Sequence, residues 1–414
     1  MINIKINTIS SIWRKYPDFK RLQMSSIFTG LGSWISFIGM LVLLDKITQN
    51  GIQLGLLWSI SGLAPILFSL FTGVFVDRVN IRKFIVLADF LNAILFLVYI
   101  FVPQLDMKIS WVLFFVIRFI IGISNSFSSI ASQKVVKNIV NEEDLVAANS
   151  LSYTITSVIR LTGASIGGLV ISFFPLEIAW IIASFLYLIS AVNIYLCNWK
   201  LSEKIKTEKN FKEEFITGLK VVQQNKLVGI VLISAFSMGI IIGTFNLMLQ
   251  QYVTNIYEMQ NYGISILYCA EGFIAIIVGY KIAQKKFMLS NKINYSFIYG
   301  LIGLGWILFG FTNGIYQGIL ALIIFSIGAA ILAPFERYIM QTQVPENLQG
   351  RVFGLWNTVT LAAIQLGALL TGIIIEGLGI RFVPLISGTL EILTGIIFFI
   401  ILGVRHTKNS ENLN

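Results

Sequence analysis

Between Leu22 and Val404 the chain passes through one apolar run after another, with short polar or charged breaks between them. A run of about 20 apolar residues is long enough to cross the hydrocarbon of a bilayer as a helix. Read between the breaks, the runs fall near 22–44, 54–76, 84–102, 110–131, 146–171, 178–199, 227–250, 262–282, 293–311, 317–340, 352–375 and 382–404. The short alternating segments of a transmembrane barrel are absent. Only 12% of the residues are charged, about half of what a soluble surface carries. The sequence therefore specifies an all-α membrane protein of twelve transmembrane helices.

Lys and Arg give the orientation. With the N-terminus inside, 25 of the 30 fall on inside segments, only Lys46, Lys108 and Arg381 fall outside, and Arg118 and Arg160 lie within spans. That bias places both termini in the cytoplasm, and it accounts for the +10 net charge without nucleic acid. The polar stretch 200–226 divides the chain into an N-terminal half (1–199) and a C-terminal half (227–404), with a tail at 405–414. Cys197 and Cys269 sit in apolar runs and His406 in the tail. That leaves no disulfide framework and no metal-ligand spacing. No cofactor, GxSxG, HExxH or Walker pattern is present, which argues against an enzyme.

The halves repeat. Val140–Ile171 aligns with Val344–Ile375 at an offset of 204 residues without a gap, with nine of 32 positions identical, among them Glu142/Glu346, Gly163/Gly367 and Gly168/Gly372. Two parallel six-helix halves with a midplane site between them form a transporter architecture.

Four charges crowd the gap after the second span, in Gly73-x-x-x-Asp77-Arg78-x-x-x-Arg82-Lys83. This stretch resembles the signature loop of the major facilitator superfamily. Arg118-x-x-x-Gly122 looks like its conserved-arginine motif, and Gly163 to Gly168, with Gly167, resembles its antiporter motif. "FKEEFITGLKVVQQNK" and "VPENLQGRV" extend the likeness to nearly the whole chain. The nearest likeness is to the macrolide-efflux and siderophore-exporter (enterobactin-exporter) branch of drug:proton antiporters. Asn80, Ile81, Ile121 and Ala164 stand where that family more often has other residues. The resemblance implies a cytoplasmic gate. Gly73 would let helices two and eleven approach, Asp77 would face the helix N-terminus near Gly350 and Arg351, and Arg78, Arg82 and Lys83 would hold acids or lipid phosphates.

Charge within the bilayer costs about 2.5–3.5 kcal/mol on translocon scales. Arg118, Arg160 and Glu271 are therefore candidates for proton coupling, Glu271 as the carrier. Asp89 is read as snorkelling or pairing with the loop arginines, and Glu391, on a peripheral helix, as locally paired or protonated. In the fold that the resemblance implies, spans one, four, seven and ten line the cavity. Ser26, Thr29, Ser33, Ser36, Asn125, Ser129, Ser237 and Thr244 would make its walls mildly polar, with Phe and Met close by. Such walls suit an amphipathic small molecule. The expectation is a monomeric, multi-pass plasma-membrane exporter of an antibiotic such as a macrolide, or of a siderophore, driven by protons through alternating access. A lysophospholipid mover or an uncoupled facilitator of the same fold is the alternative, with a non-transporting scaffold behind both.

Overall fold

The computed structural model describes residues 12–64, 66–68, 80–197, 220, 222–260, 262–284 and 292–403. Its first six main helices are α1 (Pro17–Ile47), α2 (Gly51–Ser61), α3 (Ile81–Val98), α4 (Met107–Ile139), α5 (Glu142–Phe173) and α6 (Leu176–Tyr195). The second six are α7 (Lys226–Asn255), α8 (Tyr262–Gln284), α9 (Lys292–Gly310), α10 (Ile315–Gln343), α11 (Glu346–Leu378) and α12 (Phe382–Gly403). Among the described residues, eight apolar helices have the length of a membrane span, and shorter apolar helices at Gly51–Ile60, Val158–Phe173, Tyr262–Val278 and Tyr295–Gly310 complete the expected twelve.

The helix ends follow local chemistry. Pro17 and Asp18 open α1, where a missing N–H costs nothing and a negative charge meets the helix dipole. Asn80 caps α3 by accepting from Lys83 N at 3.1 Å. Asn225 caps α7 by accepting from Leu227 N at 3.1 Å. Gly379, at φ 96°, ends α11 and returns its N–H to the Ile374 and Ile375 carbonyls, both at 3.1 Å. A side chain is strained at that φ.

The described chain forms two compact units. One is Met1–Gln49 with Ile60–Glu208, and the other is Asn50–Ser59 with Lys209–Asn414. The start of α2 thus belongs with the second unit, where Gly51 N donates to Glu376 Oε2 at 3.1 Å and Ser59 Oγ to the Gln365 carbonyl at 2.7 Å. Gly73, expected to bring helices two and eleven together, lies outside the described residues. The observed approach of these helices is at Gly51, Gly55 and Gly372, where backbone meets backbone.

The repeat seen in sequence has a packing reason. In the first unit, α5 lies on α1 at Gly163, where an added Cβ would come 2.7 Å from Trp34 Cβ. In the second, α11 lies on α7 at the aligned Gly367, where an added Cβ would strike the Ile240 carbonyl oxygen. Lipid tails supply little hydrophobic force between helices, so close backbone approach through small residues does the holding. Large rings fill the spaces left over. Tyr99 stacks on Trp180 in the first unit at 4.8 Å, and Phe245 on Phe325 in the second at 5.8 Å.

Ahead of α1, Lys15 Nζ donates to Asp144 Oδ2 at 2.6 Å and Tyr16 Oη to the same oxygen at 2.8 Å. The Lys15 and Tyr16 bonds hold the Asp144 carboxyl below the usual carboxylate range, and the Asp144 bond raises the Lys15 ammonium. A depressed carboxylate favours the docked state above its unfolded value of about 4. A raised ammonium favours it below its unfolded value of about 10. Docking is thus strongest between those limits. It is lost as pH falls through the folded Asp144 value or rises through that of Lys15.

Two outcomes are expected. Gly243 faces the Ile364 carbonyl oxygen so closely that a methyl group would collide with it, while Gly354 has open space. Gly243→Ala should lower thermal stability in detergent by about 1–3 kcal/mol, and Gly354→Ala should not; equal stabilities would refute the α7–α11 contact. Asp144→Asn should speed acylation of Lys15 at neutral pH, and an unchanged rate would show that the contact does not form.

Candidate functional site

The first unit contains a cavity of about 700 Å³. Helical spacing on α1 brings Ser25, Ser26, Thr29 and Ser33 to one face. Helix α4 adds Asn125, Ser128, Ser129 and Ser132, α5 adds Ser152 and Thr156, and α6 adds Tyr187 and Ser190. Asp89 enters from α3 and is the one acidic residue of the lining among the described residues, which place no Lys, Arg or His there.

The polar atoms are ordered. Ser190 Oγ donates to Asp89 Oδ2 at 2.6 Å and shares a short hydrogen bond with Ser25. Ser33 and Tyr187 hydroxyls lie 2.6 Å apart. Asn92 Nδ2 donates to Asn125 Oδ1 at 3.1 Å. Several hydroxyls spend their proton on their own helix: Ser26 on the Leu22 carbonyl at 3.0 Å, Thr29 on Ser25 at 3.1 Å and Thr156 on Ser152 at 3.0 Å. A hydroxyl whose proton is used this way offers lone pairs. The cavity is therefore rich in acceptors around one carboxyl, and its chemistry favours a ligand that donates hydrogen bonds and carries positive charge.

Of the residues expected to line a cavity, Ser26, Thr29, Ser33, Asn125 and Ser129 do so here. Ser36 does not line it; it is buried and donates to the Ser33 carbonyl at 2.9 Å. Ser237 and Thr244 belong to the second unit, Ser237 bonded to Glu391 and Thr244 buried 3.5 Å from the Gly367 carbonyl. The described lining residues are mostly Ser and Thr, with Leu22, Ile85, Val136 and Ile194 as its aliphatic part. Serines that bond their own helix can be packed inside a bundle at little cost.

The charged candidates separate. Arg118 sits on α4 within electrostatic reach of Tyr99 and Tyr187, and its Nε is buried without a hydrogen-bond partner among the described residues. Arg160 is exposed on α5. Glu271 is half-buried on α8 in the second unit, near Tyr268. Among the described residues Asp89 pairs with no arginine: it is 4% exposed and accepts from Ser190. Arg82 Nη1 instead donates to the Cys197 carbonyl at 2.6 Å, and Arg21 donates to the Leu196 carbonyl. Two cations thus close the C-terminal end of α6, where unpaired carbonyls carry negative partial charge. Lys83 is exposed. Gly163, Gly167 and Gly168 are buried on α5, with Gly163 and Gly167 against Trp34 and Ile35 of α1. Asp77 and Arg78 lie outside the described residues, as does the Arg351 side chain. Gly350 and Arg351 fall in the first turns of α11.

Sequence reading passed over Glu336 altogether, because it sits next to Arg337 at the apparent end of a span; it is 4% exposed. Its place in the repeat could have flagged it, since Ser132 of the cavity lies at the same offset of 204 residues.

Asp89→Asn keeps size and hydrogen bonding but removes the charge. It should weaken binding of a lipophilic amine by about tenfold or more, in line with the 1.5–3 kcal/mol of a charged hydrogen bond, and leave binding of the matching alcohol unchanged. Equal losses for both ligands would remove Asp89 from recognition.

Comparison with known proteins agrees with this architecture. The chain is 24% identical over 401 residues to the putative bacilysin exporter BacE of Bacillus subtilis (strain 168), covering 94% of this chain and 95% of that protein. It is 23% identical over 399 residues to macrolide efflux protein A of Streptococcus pyogenes, covering 92% and 96%. The nucleoside transporter NupG superposes with a TM-score of 0.72 at 14% identity, covering 93% of this chain and 99% of that one. An auto-inhibited POT family peptide transporter gives 0.74 at 12% identity, covering 93% and 96%. The family model of the Major Facilitator Superfamily matches residues 23–364 and 289–414, and with twelve helices in two repeated halves the chain belongs to that superfamily.

Proposed function

We propose that this transporter is a proton-coupled exporter of amphipathic small molecules bearing an amine, acting by alternating access. The observation that carries the reading is the acceptor-rich cavity with Asp89 as the one acidic wall residue among those described. Efflux-type relatives, the bacilysin exporter and the macrolide efflux protein, support the direction of transport. Among the described lining residues a lipid headgroup phosphate would meet a carboxyl and no cation, so the lysophospholipid alternative gains no support from them. The concentration of Lys and Arg on one side supports cytoplasmic termini and a cytoplasmic 200–226 segment, in a plasma membrane.

Proteoliposomes with an imposed pH gradient test the coupling. A radiolabelled macrolide should move against the proton gradient, and collapsing the gradient should stop it. A macrolide flux indifferent to the gradient would make the protein a facilitator, and no flux of any amine would end the export reading. In intact cells, a cysteine placed in 200–226 should resist impermeant maleimide; labelling from outside would invert the topology.

A further inference from the structure

The second unit buries two carboxyls that the cavity does not use. Glu336 on α10 is 4% exposed and Glu391 on α12 is 1% exposed. Both are held by one stretch of α7, through serines three residues apart. Four helices supply their surroundings. From α7, Ser234 donates to Glu336 and, one turn on, Ser237 donates to Glu391. From α9, Tyr295 Oη donates to Glu336 Oε1 at 3.2 Å, and the Tyr299 hydroxyl bonds to Ser234. Phe398 and Phe335 close the site, with ring centroids 5.4 Å from Tyr295. Lys and Arg are absent from the contacts of either acid among the described residues; Arg337, next in the chain, is exposed. Glu271 lies against Tyr268 instead.

The two acids are not equivalent. The donors converge on Glu336: Tyr295 directly, and Tyr299 through Ser234. Glu391 has one donor, and its Oε2 is buried with no hydrogen-bond partner among the described residues. Two buried carboxylates held by the same stretch of α7, with no cation on either among the described residues, would cost several kcal/mol each in desolvation and repel one another. A bare carboxylate oxygen away from water is the most costly member of such a set. A proton on that oxygen removes one charge and turns the atom into a donor. The donors around Glu336 stabilise the remaining negative charge. Deprotonation of Glu391 returns the proton to water and leaves two anions, a state that must be relieved by another proton or by exposure of the site.

We propose that Glu391 and Glu336 form the proton-binding site of the transporter, with the exchangeable proton on Glu391 Oε2 and with Glu336, held by Ser234 and Tyr295, as the anionic member. This deepens the proton-coupled reading above and moves the carrier from Glu271 to the α7–α9–α10–α12 cluster. At the equivalent place in the first unit α4 has Ser132, at the cavity wall; the two repeats have thus diverged from hydroxyl to acid at one position.

The full-length protein in proteoliposomes provides the test, in two parts. Infrared difference spectra across a pH titration should show the carbonyl band of a protonated carboxyl. That band should be lost in Glu391→Gln, kept in Glu391→Asp and altered in Glu336→Gln. Gradient-driven macrolide transport should be lost in Glu391→Gln and Glu336→Gln, while macrolide counterflow, which needs no net proton movement, should persist and report intact folding. A band unchanged in both variants would overturn the proposal. So would pH-gradient transport at wild-type rate in both, or a wild-type protein with no protonated band at any pH and a sodium-dependent flux. If the band behaves as expected while the wild type ignores the pH gradient, the site stands and the proton-coupled export reading falls.

Discussion

Hydrocarbon offers no water to a backbone amide, and every polar group within it must find its partner inside the protein. The rest of this structure depends on that constraint. It forces the spans into helices, and it also disciplines the side chains. Ser26, Thr29, Ser152 and Thr156 each return a proton to a carbonyl one turn back. Serines of this kind can be packed into a bundle cheaply and still present lone pairs on their free side. A cavity rich in hydroxyls is thus compatible with a stable membrane fold in a way that one rich in amides or charges is not.

Helix association within each unit rests on shape. Gly163 on Trp34 and Gly367 on Ile240 are the same contact made twice, between α5 and α1 and between α11 and α7. Once backbones meet this closely, no small shift removes a clash, and the positions become fixed. The side chains beside them are free to vary, and the two units have used that freedom differently. The first gathers hydroxyls, amides and one acid around open space. The second sets two acids among tyrosines and serines and seals them with phenylalanine. Under the proposed reading this is a chemical division of labour, with ligand recognition by acceptors in one unit and proton binding by a crowded acid pair in the other.

Helix ends show electrostatics working at the bilayer boundary. Arg82 belongs by sequence to a charged loop, yet its guanidinium lies on the carbonyl end of α6, with Arg21 beside it. Both residues contribute to the positive-inside bias and close a helix terminus, so a residue that sets topology also contributes to packing.

The sequence by itself determined the helix number, the span positions and the repeat. Apolar run length is set by bilayer thickness, and the 204-residue offset survives as identical glycines at helix contacts. Five lining residues, Ser26, Thr29, Ser33, Asn125 and Ser129, were also legible, because helical periodicity puts polar residues on one face. Periodicity on one helix does not say what stands opposite that face. Asp89 looked like a partner for nearby arginines until α6 brought Ser190 to it. Glu336 drew no notice near the end of its span, and Glu391 looked locally paired or protonated on a peripheral helix. Only the tertiary packing of α7, α9, α10 and α12 put those two acids together and left one carboxylate oxygen bare, since residues from 234 to 391 meet there and no local pattern records such a distance.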